Sequence, residues 1–433
     1  MSLNIAALTF GCKVNQYETA CILTDFTKKG YSIGKFNESA AIYLINTCTV
    51  TNRTDYKSRN AIRKALAFKK LDPNKIIIVT GCYAQRDPER IKELGDIDFI
   101  IDNGKKNRIM EILSNGSNKF EDIFNYNSYG EHSMEKFPDR TRAFVKIQDG
   151  CDFFCSYCAI PLGRGKSRSR SKEAILNQIE LLIRNGYHEI VLGGINLGLY
   201  GYDRGEKNAL PELLRSLEKI DSLKIIRLSS LEPQLFSDQL LETIIRSNKI
   251  APHFHLALQH GSDEILQKMS RNYTIHEFKR LLEKMWKNLP YVALGFDLIS
   301  GLPGETDQYF NDSFRFLNET EFAYLHVFPY SKRPGTAAAK MPNQIPKDVV
   351  RKRVKRLLHL SQQKKQEYSL RIIRNKVKLA GVIEKKIDNH WTALSDRYLR
   401  LYTKSDKNGL KGEYRKFIPQ KILQDGLLGR IDD

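Results

Sequence analysis

Short apolar runs alternate with longer amphipathic stretches along the first hundred residues of the chain. The runs IAALTF, AIYLIN and KIIIVT have the length of buried strands, and apolar residues at helical spacing follow each of them. This alternation is typical of a doubly wound α/β domain with a parallel sheet, which we place at residues 1–115.

A polar stretch rich in Asn, Ser and Gly predicts a linker over residues 116–140. Beyond it, six apolar runs alternate with helical patterns: AFVKI, EIVLG, KIIRL, FHLAL, VALGFDLI and YLHVF. Six successive β/α units predict a partial (β/α)6 barrel over residues 141–370, with its active site at the C-terminal ends of the strands.

The end of the chain changes character again. A basic helical pattern runs from about Lys347 to Arg374, and short strand-like pieces separated by turn residues follow it. Residues 371–433 therefore predict a small all-β, OB-like barrel, a class that binds nucleic acid through a basic, aromatic face, although it could be an interaction module. The aromatic residues available for stacking are Tyr398, Tyr402, Tyr414 and Phe417, of which we expect only a minority to touch RNA.

Charge strengthens the nucleic-acid interpretation. The 433 residues carry a net charge of +20, and the 22 basic and nine acidic residues from Arg351 to Asp433 account for +13 of it. Such a skew favours a polyanionic partner over a merely solvated basic surface or a membrane surface. We find neither a transmembrane stretch of about 18 apolar residues nor a signal peptide, so we expect a cytoplasmic protein.

Seven cysteines, an odd number, argue for metal or redox chemistry rather than a disulfide framework. Cys12, Cys48 and Cys82 each follow a predicted strand, and the carboxyl edge of a parallel sheet brings such loops together. The alternative is three buried structural cysteines, which pack as small hydrophobes. We assign Cys21, which lies inside the first predicted helix, to the core.

A second cysteine set is compact in sequence. Cys151, Cys155 and Cys158 form a CxxxCxxC loop, which can wrap three thiolates around a 4Fe–4S cluster and leave one iron open. Structural zinc prefers four protein ligands, and no nearby Cys or His completes such a set. The spacing therefore favours the cluster over zinc.

The CxxxCxxC loop resembles the defining motif of the radical SAM superfamily. That resemblance implies S-adenosylmethionine (SAM) on the open iron, with cofactor contacts from the strand ends. The residues at these positions are Tyr157, Gly193, Gly194, Asn196, Ser229, Glu232, Gln259 and Gly301. Asp297, near the end of the fifth strand, is a candidate for positioning substrate or shuttling a proton, or it could hydrogen-bond backbone amides.

The whole chain resembles the methylthiotransferase family. The segments that carry the resemblance are FGCKVNQ at 10–16, NTCTVT at 46–51, TGCYAQ at 80–85, the radical SAM loop, and YSKRPGT at 330–336. The family implies an auxiliary 4Fe–4S cluster on Cys12, Cys48 and Cys82, and a final TRAM domain that binds RNA. The chain differs from the typical family sequence at two positions: His260 stands where Ser is common, and Ser300 where Val is common.

Within the family, GCKVNQYET at 11–19 and NTCTVTNR at 46–53 resemble the branch that modifies N6-threonylcarbamoyladenosine at position 37 of tRNA. Gln-Met-Asn and Pro-Lys-Asn versions of the first motif are typical of branches that modify isopentenyladenosine in tRNA or an aspartate of a ribosomal protein. Both substrates stay open as alternatives, as does a non-enzymatic iron–sulfur RNA-binding redox sensor.

The resemblance also implies a mechanism and partners. One electron passes from the cluster on the CxxxCxxC loop to SAM and releases a 5′-deoxyadenosyl radical, while the auxiliary cluster carries or supplies sulfur and a second SAM supplies the methyl group. The electron would come from a reductant such as flavodoxin or ferredoxin, and the sulfur donor is left open. Beyond the loop, a second basic stripe is expected to meet tRNA: Arg164, Lys166, Arg168 and Arg170.

Overall fold

The computed structural model describes residues 3–137, 140–405, 407 and 409–432. Its first unit is a parallel five-stranded sheet in the order β2-β1-β3-β4-β5. The strands are β1 Asn4–Thr9, β2 Ser32–Gly34, β3 Ile42–Thr47, β4 Ile76–Gly81 and β5 Phe99–Ile100. The helices are α1 Lys13–Lys28, α2 Asn52–Leu71, α3 Cys82–Arg86, α4 Pro88–Lys92 and α5 Ile109–Asn115. This strand order is that of a doubly wound α/β fold, so the prediction is confirmed.

The second unit is the predicted partial barrel. Its strands are β6 Ala143–Lys146, β7 Gln148–Asp149, β8 Arg168–Ser169, β9 Glu189–Gly193, β10 Ile225–Leu228, β11 His253–Gln259, β12 Ala293–Ser300 and β13 Tyr324–Pro329. Its helices are α6 Ile160–Arg164, α7 Lys172–Arg184, α8 Ala209–Glu218, α9 Asp238–Arg246, α10 Asp263–Lys268, α11 Ile275–Asn288, α12 Asp307–Glu319 and α13 Lys347–Arg374.

Six of these strands form the barrel wall, and β7 and β8 pair separately as a short antiparallel ribbon. The wall consists of two parallel sheets, β6-β9-β10 and β11-β12-β13. Isolated parallel bridges, Ile226 to Ile250 and Leu231 to Leu256, join the two sheets. The wall is therefore a partial six-stranded barrel, open between β6 and β13.

The third unit is a closed five-stranded barrel in the order β14-β15-β16-β18-β17. Its strands are β14 Leu379–Ile387, β15 His390–Ser395, β16 Arg400–Thr403, β17 Tyr414–Leu423 and β18 Gly426–Ile431. This confirms the small all-β barrel. The boundary expected between residues 370 and 371 lies inside α13, which continues to Arg374.

The small barrel packs against the N-terminal ends of the wall strands. Ala293 and Ala323, at the starts of β12 and β13, share a buried apolar cluster with the interior of the small barrel. The Arg227 guanidinium of β10 donates to the carbonyl oxygens of Leu394 (3.2 Å) and Ser395 (2.9 Å). The small barrel thus closes the end of the partial barrel opposite the strand ends that carry the CxxxCxxC loop.

The stretch predicted as a linker is packed against its neighbours. Ile123, Met134 and Phe137 are buried, with at most 6% of each exposed. Their burial ties the connection to both the first and the second unit. Short 3-10 helices occur at Asn103–Arg108, Ile123–Asn125, Leu197–Leu199, Tyr202–Arg204, Pro233–Leu235 and Ala337–Ala339. Over the described ranges, every helix is too short or too polar to cross a membrane.

Candidate functional site

Three loops at the carboxyl edge of the first sheet bring Cys12, Cys48 and Cys82 together. A Cβ atom on Gly11 would lie 2.5 Å from the Cys48 Sγ, and one on Gly81 would lie 2.3 Å from the Thr47 carbonyl oxygen. Both glycines also have positive φ angles, +91° and +103°, which other residues rarely adopt. The close approach of the three cysteine loops therefore depends on glycine at these positions.

Asparagine and threonine side chains hold the same loops in place. The Asn15 side-chain amide donates to the carbonyl oxygens of Phe10 (2.8 Å) and Thr47 (3.0 Å). The Thr47 hydroxyl donates to the Thr80 carbonyl oxygen at 2.6 Å. Every loop that carries one of the three cysteines is thus fastened to another by a hydrogen bond.

The protein alone favours the neutral form of these thiols. Burial, followed by the proximity of Cys82 and Cys12, raises the pKa of the Cys48 thiol to about 12. Burial also raises the pKa of Cys12, against the opposing charge of Arg164, although Cys12 keeps contact with solvent. Metal binding to thiolates supplies the compensating positive charge, so the donor set suits an iron–sulfur cluster. Cys21 is fully buried in α1, as expected of a core residue.

The CxxxCxxC loop lies between β7 and α6 and is anchored at its centre. Ser156 donates from its backbone amide to the Met269 carbonyl oxygen (3.0 Å) and from its hydroxyl to the Lys268 carbonyl oxygen (2.7 Å). Its own carbonyl oxygen accepts a hydrogen bond from the Ala338 amide at 2.7 Å. These contacts fix the loop around its three cysteines before any ligand is bound.

Hydrogen-bond donors surround the sulfur atoms of this loop. Cys151 Sγ accepts from the Phe153 amide (3.4 Å) and the Asn196 side-chain amide (3.7 Å), and Cys155 Sγ accepts from the Arg271 guanidinium (3.5 Å). Burial raises the pKa of Cys151 to about 11, and the pKa of the third cysteine to about 12. Donors aimed at cysteine sulfur are a feature of iron–sulfur sites, so the residues fit a cluster here.

Unpaired polar atoms at the neighbouring strand ends fit a polar cofactor. Asn196 Oδ1 and Ser229 Oγ are buried and have no hydrogen-bond partner among the described residues. Glu232 pairs with Arg271 at 3.1 Å, and burial raises the pKa of this carboxyl against the opposing guanidinium charge. Such orphaned groups are costly without a ligand, and the amino and carboxylate groups of SAM are suitable partners.

The remaining predicted contacts line the same edge. Cβ atoms on Gly193 and Gly194 would lie 2.2 Å from the Phe144 ring and 2.6 Å from the Gln148 Oε1, so both positions exclude side chains. Tyr157 packs beside a buried apolar cluster on the inner side of the loop, and Gln259 adopts an unusual φ of +63°. Gly301 has a φ of +92° and faces α13 rather than open space.

His260 and Ser300, the two residues that differ from the typical family sequence, both lie near the buried Glu305 carboxylate. His260 Nε2 lies 3.2 Å from Glu305 Oε1, and the Ser300 hydroxyl lies 3.4 Å from the same oxygen. Arg353 of α13 adds an ion pair to Glu305 at 2.9 Å. The unusual His and Ser are therefore two parts of a single buried polar cluster around Glu305.

Asp297 hydrogen-bonds histidine side chains rather than backbone amides. Its Oδ1 lies 2.8 Å from His255 Nε2 and 3.5 Å from His326 Nδ1, and these three groups fall within 4.8 Å of one another. Burial alone would raise the pKa of Asp297, but the two histidines lower it to about 2. The carboxylate is therefore charged at neutral pH and faces the barrel interior beside two imidazoles.

The expected second basic stripe is wrong for three of its four members. Arg164, Arg168 and Arg170 are buried, with 0%, 4% and 2% exposed, and each is held by carboxylates. Only Lys166 of this set is exposed. The arginines hold the units of the protein together and cannot bind RNA phosphates without unfolding the interface.

Aromatic residues of the small barrel are also mostly engaged. Phe417 is fully buried, and the Tyr402 hydroxyl donates to Asp425 at 2.6 Å. Tyr398 stacks on His253 of β11, with ring centroids 4.3 Å apart. Tyr414 is half-buried. That a minority of these residues touch RNA stays a prediction.

Sequence reasoning missed Arg271, His255 and His326, which contact the predicted residues directly. It also missed that Lys146 is buried at 7% exposure inside a barrel strand. The lysine inside the apolar run AFVKI could have indicated a buried ion pair, since buried lysines occur almost only when they are paired.

Comparisons with known proteins agree with this geometry. A family model described as Uncharacterized protein family UPF0004 matches residues 4–102, and the Radical SAM superfamily model matches residues 145–317. The chain is 38% identical over 432 residues to threonylcarbamoyladenosine tRNA methylthiotransferase MtaB of Bacillus subtilis, covering 98% of this chain and 94% of that protein.

Two further similarities are informative. The chain is 35% identical to a tRNA-2-methylthio-N(6)-dimethylallyladenosine synthase of Pelotomaculum thermopropionicum, over 82% of this chain and 81% of that protein. Among solved structures, the radical S-adenosylmethionine methyltransferase TsrM of Kitasatospora setae, with cobalamin and a 4Fe–4S cluster bound, aligns with a TM-score of 0.58. At 13% identity over 78% of this chain and 74% of that one, the latter likeness concerns the fold alone.

Proposed function

Because this chain belongs to the radical SAM methylthiotransferase family, we propose that it methylthiolates C2 of N6-threonylcarbamoyladenosine at position 37 of tRNA. The product would be 2-methylthio-N6-threonylcarbamoyladenosine. The observation that carries the proposal is the pair of preorganised cysteine triads, Cys12, Cys48 and Cys82 in one unit and the CxxxCxxC loop in the next. An activity that needs only SAM cleavage would leave the first triad without a role.

Each triad suits a 4Fe–4S cluster with three protein ligands. When bound, the two clusters and SAM supply the electron transfer, the radical, the sulfur and the methyl group. Asn196, Ser229 and the Glu232 carboxylate would hold the polar groups of SAM, a role supported by the unpaired buried Asn196 Oδ1 and Ser229 Oγ among the described residues. Asp297, which lies beside His255 and His326, would orient the substrate base from the barrel interior.

The proposed partners follow from this reaction. The tRNA would lie across the exposed lysines of the small barrel and α13, and a flavodoxin or ferredoxin would supply electrons. Such a tRNA substrate implies action in the cytoplasm. Two clusters predict about eight iron atoms per chain after anaerobic reconstitution.

Mass spectrometry of nucleosides from bulk tRNA, with and without this gene in the source organism, tests the proposal. We expect the 2-methylthio form of threonylcarbamoyladenosine to disappear and its unthiolated precursor to accumulate, with the isopentenyl counterpart unchanged. Complementation with a Cys12→Ala variant should fail, whereas complementation with Cys21→Ala, which alters a core cysteine, should succeed.

Isopentenyladenosine tRNA is the second candidate substrate, because the chain is 35% identical to a dimethylallyladenosine synthase over most of its length. If the isopentenyl nucleoside alone loses its methylthio group, this candidate replaces the first. If the tRNA nucleosides are identical in both strains, a ribosomal-protein aspartate becomes the substrate to examine. A non-enzymatic redox sensor is tested separately, because it would not cleave SAM to 5′-deoxyadenosine.

A further inference from the structure

Six buried charged residues occupy the interface between the first and second units. Each is at most 7% exposed, and each lies within ion-pair distance of another member. This set, the buried charge cluster, consists of Glu18, Lys106, Lys146, Asp149, Arg164 and Arg168. The proposed chemistry assigns no role to any of them.

The Arg164 guanidinium lies at the centre of this cluster and touches both cysteine-bearing segments. Its Nε donates to Cys82 Sγ at 3.2 Å, while its Nη1 lies 3.2 Å from both carboxylate oxygens of Asp149. On the side of the first unit, its Nη2 donates to Glu18 at 3.0 Å and also to the Asn15 side chain. One side chain of α6 thus reaches the first cysteine triad from the segment that carries the second.

Positive charges outnumber negative charges in the buried charge cluster. Among the residues that the structure describes, the four cations in the cluster face two carboxylates, Glu18 and Asp149. A surplus of buried positive charge is costly unless an anion lies nearby. Besides the two carboxylates and the neutral Asn15 side chain, Arg164 touches the Cys82 sulfur. A 4Fe–4S cluster on three thiolates is an anion that gains one further negative charge when it is reduced.

We propose that Arg164 is a positioning residue that stabilises the reduced form of the auxiliary cluster through its hydrogen bond to Cys82. This inference rests on the proposed function, because it requires a cluster on the first triad. A positive charge and an N–H donor at a ligating sulfur both favour the more negative oxidation state, and so raise the reduction potential. The two carboxylates hold the guanidinium in a forked geometry that a lysine cannot reproduce.

The test uses the full-length chain with Cys151, Cys155 and Cys158 changed to alanine, so that only the first triad can hold a cluster. The protein is reconstituted anaerobically with iron and sulfide, and the cluster is titrated with dithionite under electron paramagnetic resonance. We expect Arg164→Gln to lower the equilibrium constant for one-electron reduction at least tenfold, which is about 59 mV. Arg164→Lys, which keeps the charge but loses the fork, should fall between this variant and the parent.

A change of opposite sign separates an electrostatic role from a structural one. Asp149→Asn removes an anion beside Arg164 and should raise the potential, whereas damage to the fold would lower iron content in both variants. Lys166→Gln, the loss of an exposed charge two residues from Arg164, should leave the potential unchanged because solvent screens it.

The outcomes are distinguishable. If the parent with three alanines binds no iron, the auxiliary cluster itself is absent and the proposed function fails. If the parent and Arg164→Gln bind equal amounts of iron and their clusters have the same reduction potential, the role of Arg164 is overturned. Should Arg164→Gln fail to fold, an unchanged potential in both Arg164→Lys and Asp149→Asn would overturn it equally.

Discussion

Two glycines illustrate how single residues set the geometry of the first triad. A Cβ on Gly11 would meet the Cys48 sulfur, and one on Gly81 would meet the Thr47 backbone. Each glycine directly precedes a cysteine. A glycine directly before Cys12 and before Cys82 is therefore needed for the three cysteine loops to fit together, and does not only mark a turn.

We predict that Gly11→Ala removes the iron of the first triad while the CxxxCxxC loop keeps its own. The added methyl group would lie 2.5 Å from the Cys48 Sγ, so this sulfur must move. Iron content should fall by about half, from about eight to about four atoms per chain, with SAM cleavage retained. Iron analysis and 5′-deoxyadenosine formation measure both effects.

Gly30→Ala is the matched control for this change. Its φ of +85° imposes a similar backbone strain, of about 1–3 kcal/mol, but a Cβ there meets no described atom within 4 Å. The control should lose stability without losing iron. Equal iron loss in both variants would show that backbone strain, not contact with Cys48, is responsible.

A second prediction concerns the cluster around Glu305. His260→Ser removes a partner from a carboxylate that is only 1% exposed, so we expect a loss of about 1–3 kcal/mol in the free energy of unfolding. Ser300→Val should cost less, because its hydroxyl lies farther from the carboxylate, at 3.4 Å.

Because both side chains share Glu305, the double substitution should differ from the sum of the single ones by about 0.5–3 kcal/mol. Urea unfolding of the four proteins gives this coupling. If the changes in the free energy of unfolding simply add, His260 and Ser300 act independently of one another.

At the scale of elements, the long apolar runs were sufficient to predict most of the fold. All six runs assigned to the partial barrel are strands. Every residue of β6, β9, β10 and β11 is buried, as is typical of parallel sheets, whereas in β13 only Leu325 is buried. The strands β2 and β5 were missed, since Ser32–Gly34 and Phe99–Ile100 are too short to show a period. The pairing of β7 with β8 depends on how the cysteine loop folds back, which no local pattern records.

The Tyr398 turn between β15 and β16 is an element whose role the sequence could not reveal. Its ring stacks on His253 at 4.3 Å and on Tyr324 at 5.3 Å, so it joins the small barrel to the base of the larger one. We predict that Tyr398→Ala weakens this docking by about 0.5–1.5 kcal/mol beyond the lost buried area. Limited proteolysis should then cut near Asn375 faster than in the parent.

Tyr202→Ala is the control, because Tyr202 is 36% exposed in a short 3-10 helix of the second unit. Its proteolysis pattern should match that of the parent. Unchanged cleavage in the Tyr398 variant would mean that α13 and the apolar cluster alone hold the small barrel in place.

At the scale of the whole molecule, the sequence predicted which residues belong to each cysteine triad but not how the units meet. Arg164 was expected in an RNA-binding stripe, and Arg333 was noted only as part of a family motif. Arg333 in fact reaches from the end of the partial barrel to Asn52 (2.6 Å) and Thr49 (2.8 Å) of the first unit. Contacts between residues more than a hundred positions apart leave no periodic signal, so their partners could not be predicted.

The same docking decides how RNA binding should be tested. Removing the residues after Asn375 would expose Ala293, Ala323 and Tyr368, which share a buried cluster with the small barrel. A truncated chain would therefore lose tRNA affinity through misfolding as well as through lost charge. Substitutions of exposed lysines on the intact chain avoid this ambiguity.

We predict that Lys385→Gln with Lys386→Gln weakens tRNA binding and flattens its salt dependence. Both side chains are exposed on the hairpin of β14 and β15. If each meets one phosphate, the slope of log K against log salt should fall by about 0.7–0.9 per lysine, because fewer counterions are released on binding. Lys219→Gln with Lys287→Gln, two exposed charges on outer helices of the partial barrel, should leave the slope unchanged. Equal slopes in all three proteins would place the tRNA elsewhere, and the exposed basic residues of α13 would be the next to change.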